Sequence, residues 1–360
     1  MSENSPRNLN SHSKAYFEAL EVYGQKLQKQ GLPVIYSLKH LSLLLGVEHK
    51  ILKTLIERRS NYYKAFYLRK KNGGKRLIQT PIEILKYIQK SIVENILINI
   101  EPDKACLGFR KGYSIKHNAD LHQSQEMVLR VDLFRFFDTI TERRVYGFFK
   151  NLGYAPNLAY DLAKLTTLSL SEAYLIEIMN EDRSSSFPIN QDPRLPQGAP
   201  SSPILSNLIA RKMDKRFRHL ALKYNFTYSR YADDLIFSGR ECNIPSMELI
   251  KTIIKDEGFI INEQKIHFAP RGDRQLVTGL TVTDGVHVPK KFKQETKRHL
   301  YFCNKFGVRN HLKKIGSDKS AFREWLLGRI YFINSIEPEE AQKLLAEFHK
   351  INWQEYSPLT

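Results

Sequence analysis

The chain has 360 residues, 42% hydrophobic and 26% charged, which excludes wholesale disorder and gives room for roughly two to three domains. Its 56 Lys and Arg against 38 Asp and Glu leave a net charge of +18, so the expected partner is a polyanion: nucleic acid, an anionic membrane surface or an acidic protein. No apolar run approaches the ~20 residues that span a bilayer, the N-terminus lacks a secretory apolar stretch, and three scattered cysteines (Cys106, Cys242, Cys303) argue against disulfides or cysteine zinc sites and for a reducing cytoplasm.

Residues 1 to about 14 are polar and expected to fray. From Lys14 to about Arg59 apolar residues recur at helical spacing, as in Leu41, Leu44, Leu45, Leu52, Leu55 and Ile56. Tyr62 to Lys71 reads as a strand, Asn72-Gly73-Gly74 as a turn, and Lys75-Arg76-Leu77-Ile78 as the return strand. Pro81 is expected to begin a helix through Ile84, Leu85, Ile88 and Ile92. A strand follows from about Met127 to Asp132, then helical segments over 142–180. The stretch 181–194, rich in Ser and Pro, reads as an exposed loop. One helix is expected over about 202–222, with Ser201 or Ser202 as its cap and Pro203 in its first turn. A hairpin spans Phe226 to Ser238, then a helix (Met247 to Glu257) and strands to about Val288. The last seventy residues read as helices, strongly basic at their start, and as a separate subdomain. Strands and helices without regular βαβ alternation predict an α+β fold.

In so basic a chain, acids set in apolar strands stand out. Asp132 follows Val128-Leu129-Arg130-Val131, and Asp233-Asp234 lies between Tyr228-Ser229-Arg230-Tyr231-Ala232 and Leu235-Ile236-Phe237. The plain alternatives are a solvated turn for the pair and a strand-end acid or helix cap for Asp132. Carboxylates brought together by neighbouring strands can instead hold two Mg²⁺ ions about 3.5–4 Å apart, with Mn²⁺ as a substitute, for phosphoryl transfer.

Tyr231-Ala232-Asp233-Asp234 resembles the YxDD signature of reverse transcriptases, and other family motifs occur in family order. Arg130 to Asp138 resembles the first aspartate motif, Leu195 to Pro203 the loop and helix under the incoming nucleotide, Lys70 to Arg76 the fingers hairpin, and Gly258 to Lys265 the motif after the YxDD hairpin. Asn118-Ala119-Asp120-Leu121-His122 resembles the NAxxH element, and Val277-Thr278-Gly279 the VTG element, of retron reverse transcriptases. Read without the resemblance, these are an Asn and a His at i and i+4 on a helix, and a strand-end glycine.

The resemblance implies a right-hand polymerase with an antiparallel palm sheet and a helical thumb. Its parts would be an N-terminal helical extension (1–60), fingers (61–126 and 145–194), palm (127–144 and 195–286) and thumb (287–360). It implies Asp132 and Asp233 as metal ligands and Asp234 as their supporting carboxylate. Arg76 would clamp the triphosphate with help from Lys70 or Lys71, and Arg110 is a second candidate. Phe137 would exclude a 2′-hydroxyl, although plain core packing is its alternative. Gln197 and Gly198 would meet nucleotide and template, and Lys265 would protonate departing pyrophosphate unless it is a surface lysine. Asn118, His122, Val277, Thr278 and Gly279 would contact RNA.

The block from Pro289 to Phe302, with Lys290, Lys291, Lys297 and Arg298 interleaved with aromatics, suits a surface gripping an RNA–DNA duplex or structured RNA. Glu295 is almost alone there, so Lys/Glu pairing on this helix is absent.

The family resemblance further implies RNA-directed DNA synthesis from deoxynucleoside triphosphates on a structured noncoding RNA that is template and primer. The product would be a small single-stranded DNA joined to a 2′-hydroxyl of that RNA, made in the cytoplasm, with an effector protein in antiphage defence. After the palm the chain has room for a thumb but not for an RNase H domain. The rival readings are a group II intron-type or other prokaryotic reverse transcriptase, and a noncatalytic RNA-binding scaffold.

Overall fold

The computed structural model describes residues 6–69, 73, 75–181, 187–188, 190–316 and 321–354. Three helices come first, α1 (Pro6–Lys29), α2 (Leu38–Leu45) and α3 (His49–Glu57), followed by a hairpin of β1 (Tyr63–Arg69) and β2 (Lys75–Pro81). Next come α4 (Glu83–Asn95), α5 (Ile115–Asp120), β3 (Met127–Asp132), α6 (Glu142–Asn151), α7 (Pro156–Thr166) and α8 (Glu172–Glu181). Then follow α9 (Ser202–Ile209), α10 (Arg211–Tyr224), β4 (Thr227–Tyr231), β5 (Asp234–Gly239) and α11 (Met247–Asp256). The short strands β6 (His267–Pro270), β7 (Leu276–Val277) and β8 (Leu280–Thr281) precede α12 (Lys290–Phe306), α13 (Val308–Ile315), α14 (Phe322–Asn334) and α15 (Pro338–His349).

Several boundaries differ from the sequence reading. Helix α1 already runs at Pro6, because a helix once nucleated extends backwards at one hydrogen bond per residue. Pro81 ends β2 instead of opening a helix. It pairs with Tyr63 at the strand terminus, where the missing N–H costs least, and α4 starts at Glu83. The expected single helix over 202–222 is two helices meeting at Ala210. The expected exposed loop after Glu181 contains a fully buried Arg194 and a buried Phe187. The Arg194 guanidinium lies over the Phe187 ring (4.7 Å) and donates to the carbonyls of Asp138 (2.6 Å) and Pro188 (2.8 Å). A loop with few apolar residues is thus tied down by one cation that saturates backbone oxygens.

The chain forms two compact units, each discontinuous in sequence. One contains the residues up to Lys111, Asp132–Leu220 and Pro245–Gln264; the other contains Gly112–Val131, Ala221–Ile244 and the chain from Lys265 onward. In the first, the β1–β2 hairpin pairs from Tyr63↔Pro81 to Arg69↔Lys75. A small apolar cluster there joins Leu77 of β2 to Leu170, Tyr174, Leu175, Ile178 and Phe187.

The second unit holds a four-stranded sheet in the order β4-β5-β3-β6, with β4–β5 and β3–β6 antiparallel; the last residue of β3, Asp132, belongs to the first unit. Its hydrophobic core runs from Ala119, Val128 and Ile236 through Val277 and Leu280 to Leu300, Phe322, Leu326, Ile330 and Phe348. The C-terminal helices therefore share one core with the sheet, where the sequence suggested a separate subdomain. Burial of such side chains stabilises by about 1.5–3 kcal/mol each.

Candidate active site

Asp132 is buried at the end of β3. The Asn262 side-chain amide donates to its Oδ1 (3.0 Å), and the Asn262 backbone N–H donates to its carbonyl (2.8 Å). Pairing continues past the strand as Leu133↔Ile261 and as Phe134 N–H to the Ile260 carbonyl (2.7 Å). The segment after Gly258 thus fixes the backbone that presents Asp132.

Asp233 and Asp234 sit at the tip of the β4–β5 hairpin. Tyr231 pairs with Asp234, leaving Ala232 and Asp233 as a two-residue turn. Ala232 has φ +59° and Asp233 does not share the positive sign, the pattern of a type II′ turn. Glycine is the usual residue at that position, and an L-residue there costs about 1–2 kcal/mol. Arg230, fully buried, donates from Nη1 to the Ala232 carbonyl (2.9 Å) and clamps the turn from within.

The two elements expected to touch RNA are mostly interior. Asn118 and His122 are completely buried, and His122 lies beyond the end of α5, not on it. The His122 ring bridges Ser238 Oγ through Nδ1 and Ser229 Oγ through Nε2, each at 2.7 Å. Burial alone pushes its pKa down to about 3, so the ring is neutral. Neither side chain reaches a surface at which RNA contact is possible, because α5 and the residues after it pack against the hairpin. Val277 is likewise buried. Thr278 (φ +47°) and Gly279 (φ +84°) form the two-residue turn between β7 and β8, and of these three only Gly279 is exposed.

In the first unit, Arg76 is exposed on β2 opposite Leu68, while Lys70 and Lys71 lie outside the described residues. The Gln79 N–H donates to the Gln197 carbonyl (2.8 Å), stitching β2 to the 195–203 loop. Gly198 has φ +121°, and a Cβ there would meet Ile78 Cγ2 at 2.9 Å and the Gln79 carbonyl oxygen at 3.0 Å, so only glycine fits. Ser201 precedes α9 without a side-chain cap bond, and Ser202 Oγ donates to the Pro196 carbonyl (2.8 Å). The expected cap is replaced by a bond that closes the loop.

Phe137 is half-buried, its ring 6.1 Å from Phe109 and 5.6 Å from Phe136. Arg110 donates to Glu101 (2.9 Å) and to the Cys106 carbonyl (3.1 Å), which makes it a local brace. Lys265 is exposed in a short 3₁₀ turn.

Sequence reasoning missed Asp138. It is buried, accepts from the Tyr174 hydroxyl (3.1 Å) and lies 3.7 Å from Arg135 Nη1. Desolvation raises its pKa to about 6, opposed by Arg135 and by the Tyr174 hydrogen bond. Burial of an acid six places after Asp132 has little local sequence signal, since only Arg135 is near it in the chain and Tyr174 comes from α8.

Lys290, Lys291, Lys297 and Arg298 are all exposed on α12. The ion pairs of α12 are made with other elements and not within the helix: Lys297 meets Glu340 (2.5 Å), Lys293 meets Glu337 (2.7 Å), and Glu295 meets Arg329 (3.3 Å). The acids for the lysines come from α15 and its cap, beyond any local window. Lys290, Lys291 and Arg298 make no ion pair among the described residues.

Among the described residues no helix is long and apolar enough to cross a membrane, and no three His, Cys, Asp or Glu side chains gather to hold a metal by themselves. Mg²⁺ is usually bound by one or two carboxylates with substrate phosphates instead of an all-protein cage, so aspartates without nearby Cys or His suit it.

The family described as reverse transcriptase (RNA-dependent DNA polymerase) matches residues 68–282; its enzymes use divalent metal ions. The retron Mx65 reverse transcriptase of Myxococcus xanthus is 31% identical over 89% of this chain and 73% of its own length. The retron Mx162 enzyme of the same organism is 30% identical over 91% and 69%, and the retron Ec86 enzyme of Escherichia coli 30% identical over 91% and 92%. The solved structure of telomerase from Candida albicans aligns over 86% of this chain and 66% of that chain, with a TM-score of 0.42 and 12% identity. With 30% identity maintained across most of the chain, and with the polymerase motifs inside the matched region, the protein belongs to the retron reverse transcriptases and is an RNA-directed DNA polymerase.

Proposed function

We propose that Asp132, Asp233 and Asp234 carry the chemistry of this polymerase with two Mg²⁺ ions, which Mn²⁺ can replace. The observation that carries this reading is the hairpin tip: Asp233 on the turn and Asp234 at the first position of β5, beside an Ala232 at positive φ whose carbonyl a buried arginine holds. When bound, divalent ions at these aspartates would activate the attacking 3′-hydroxyl and neutralise charge on the triphosphate.

The chain's own residues do the rest. Arg76 presents a two-pronged donor to the phosphates, with Lys70 beside it. Gly198 lets the backbone after Gln197 approach nucleotide and template. Phe137 blocks a 2′-hydroxyl and so selects deoxynucleoside triphosphates. Lys265 gives a proton to pyrophosphate. Exposed Lys290, Lys291 and Arg298 track phosphates of the bound RNA, with Lys297 shared between RNA and Glu340.

The same reading extends to the biology. The enzyme copies part of a partner noncoding RNA into a small single-stranded DNA that stays joined to it, in the cytoplasm, and with an effector protein serves antiphage defence. Primer extension with Asp233→Asn tests the core of it. Synthesis is expected to fall to background while thermal stability is unchanged or slightly raised, since a repulsion is removed. Polymerisation persisting in that variant overturns the assignment. Nucleic acid copurifying with the protein is expected to be a branched RNA–DNA sensitive to debranching.

A further inference from the structure

We infer that Asn118 and His122 are positioning residues for polymerisation: together with Ser229 and Ser238 they tether both strands of the hairpin that carries Asp233 and Asp234, from its buried face. Cross-strand pairing sets the geometry. Tyr231↔Asp234, Ser229↔Ile236 and Thr227↔Ser238 are directly opposed, so Ser229, Ile236, Ser238 and Asp234 project on one face. His122 spans that face diagonally, one ring nitrogen on each strand, and Ala119 packs in the same core as Ile236.

The hydrogen-bond directions follow from the orientation of the Asn118 amide. The Asn118 Oδ1 can only accept, and it accepts from Ser229 Oγ at 2.7 Å. The Ser229 oxygen therefore accepts from His122 Nε2–H, which leaves Nδ1 to accept from the Ser238 hydroxyl. One amide thereby orders a chain of three bonds that ends on β5. The helix that carries Asn118 is held at its first residue, where Thr278 Oγ1 donates to the Ile115 carbonyl (3.1 Å). The segment from Asn118 to His122 and the turn at Val277 and Thr278 are thus joined in one support of the hairpin. A register slip of one residue would turn Ser229 and Ser238 away from the ring and Asp234 to the opposite face.

The inference rests on Asp233 and Asp234 being catalytic, and the experiment separates the two. Primer extension is measured on His122→Ala, His122→Gln and Ser238→Ala, with RNA affinity measured alongside. For His122→Ala, kcat is expected to fall on the order of 10²-fold, the loss typical of a reacting group displaced by about 1 Å, with RNA affinity unchanged. Glutamine offers one donor and one acceptor to the same two serines, and His122→Gln is expected to recover most of kcat. In ¹⁵N spectra of the intact protein, His122 is expected as the neutral Nε2–H tautomer.

Wild-type kcat in His122→Ala, or weakened RNA binding with kcat intact, overturns the inference. Should His122→Ala not fold, Ser238→Ala decides by the same two readings. An inactive Asp233→Asn beside a fully active His122→Ala overturns the tether and leaves the catalytic reading standing. An active Asp233→Asn overturns the catalytic reading whatever His122 does.

Discussion

Gly198 and Asp138 show how single residues set limits on this enzyme. At Gly198 a side chain meets two obstacles, a left-handed backbone and the Gln79 carbonyl 3.0 Å from its first carbon. Gly198→Ala is expected to destabilise the first unit by about 1–3 kcal/mol, read as a lower urea midpoint, and to reduce synthesis with it. Asp138 ionises near 3.8 in the unfolded chain and near 6 in the folded one. Between those values the folded state keeps a proton that the unfolded state has lost, so this group's contribution to stability is full below about pH 4 and is lost as pH rises to about 6. Asp138→Asn keeps an acceptor for Tyr174, and its stability relative to wild type is expected to rise across that window. Urea midpoints against pH for both proteins check the sign. At Phe137 the test is chemical: Phe137→Val is expected to admit ribonucleotides, measured by extension with a single ribonucleoside triphosphate, and unchanged sugar selection counts against it.

At the scale of elements, the β4–β5 hairpin was legible because its acids break the pattern of an apolar strand in a basic chain. What the strand face does was not. Ser229 and Ser238 look like ordinary polar alternation, and their partner His122 lies 107 and 116 positions earlier. Asn118 and His122 were readable as a pair, but helical spacing does not say whether a pair faces solvent or the interior. The ion pairs of α12 were hidden for a similar reason: its lysines find their acids on another element. In the stretch after Glu181 the described residues Pro188 and Asn190 to Asp192 are exposed as the sequence suggests, and what it did not show is that Phe187 and Arg194 turn inward. Strain at the hairpin turn yields a prediction of its own. Ala232→Gly removes a left-handed penalty of about 1–2 kcal/mol and adds about 0.5–1 kcal/mol of unfolded-chain freedom, so a net gain below about 1.5 kcal/mol is expected by chemical denaturation.

For the whole molecule, a net charge of +18 makes salt the main experimental variable. RNA affinity is expected to fall linearly with log salt, with a slope of about −0.7 to −0.9 per phosphate contact. Replacing Lys290 and Lys291 together by Ala should flatten that slope by up to about 2, and an unchanged slope removes α12 from the interface. The α+β class and the helical C-terminus were visible in periodicity; the interleaving of two units was not, because the register of long-range packing leaves no local trace. That interleaving has a temporal side. Ile236, on the underside of the polymerase hairpin, shares its core with Phe348 and Ile351. A ribosome adding about 5–20 residues per second reaches Ile351 roughly 6–23 s after Ile236. For that interval the nascent strand lies uncovered, a natural hold for chaperones, and codon changes that slow translation of the last helices should lower soluble yield without altering the mature enzyme.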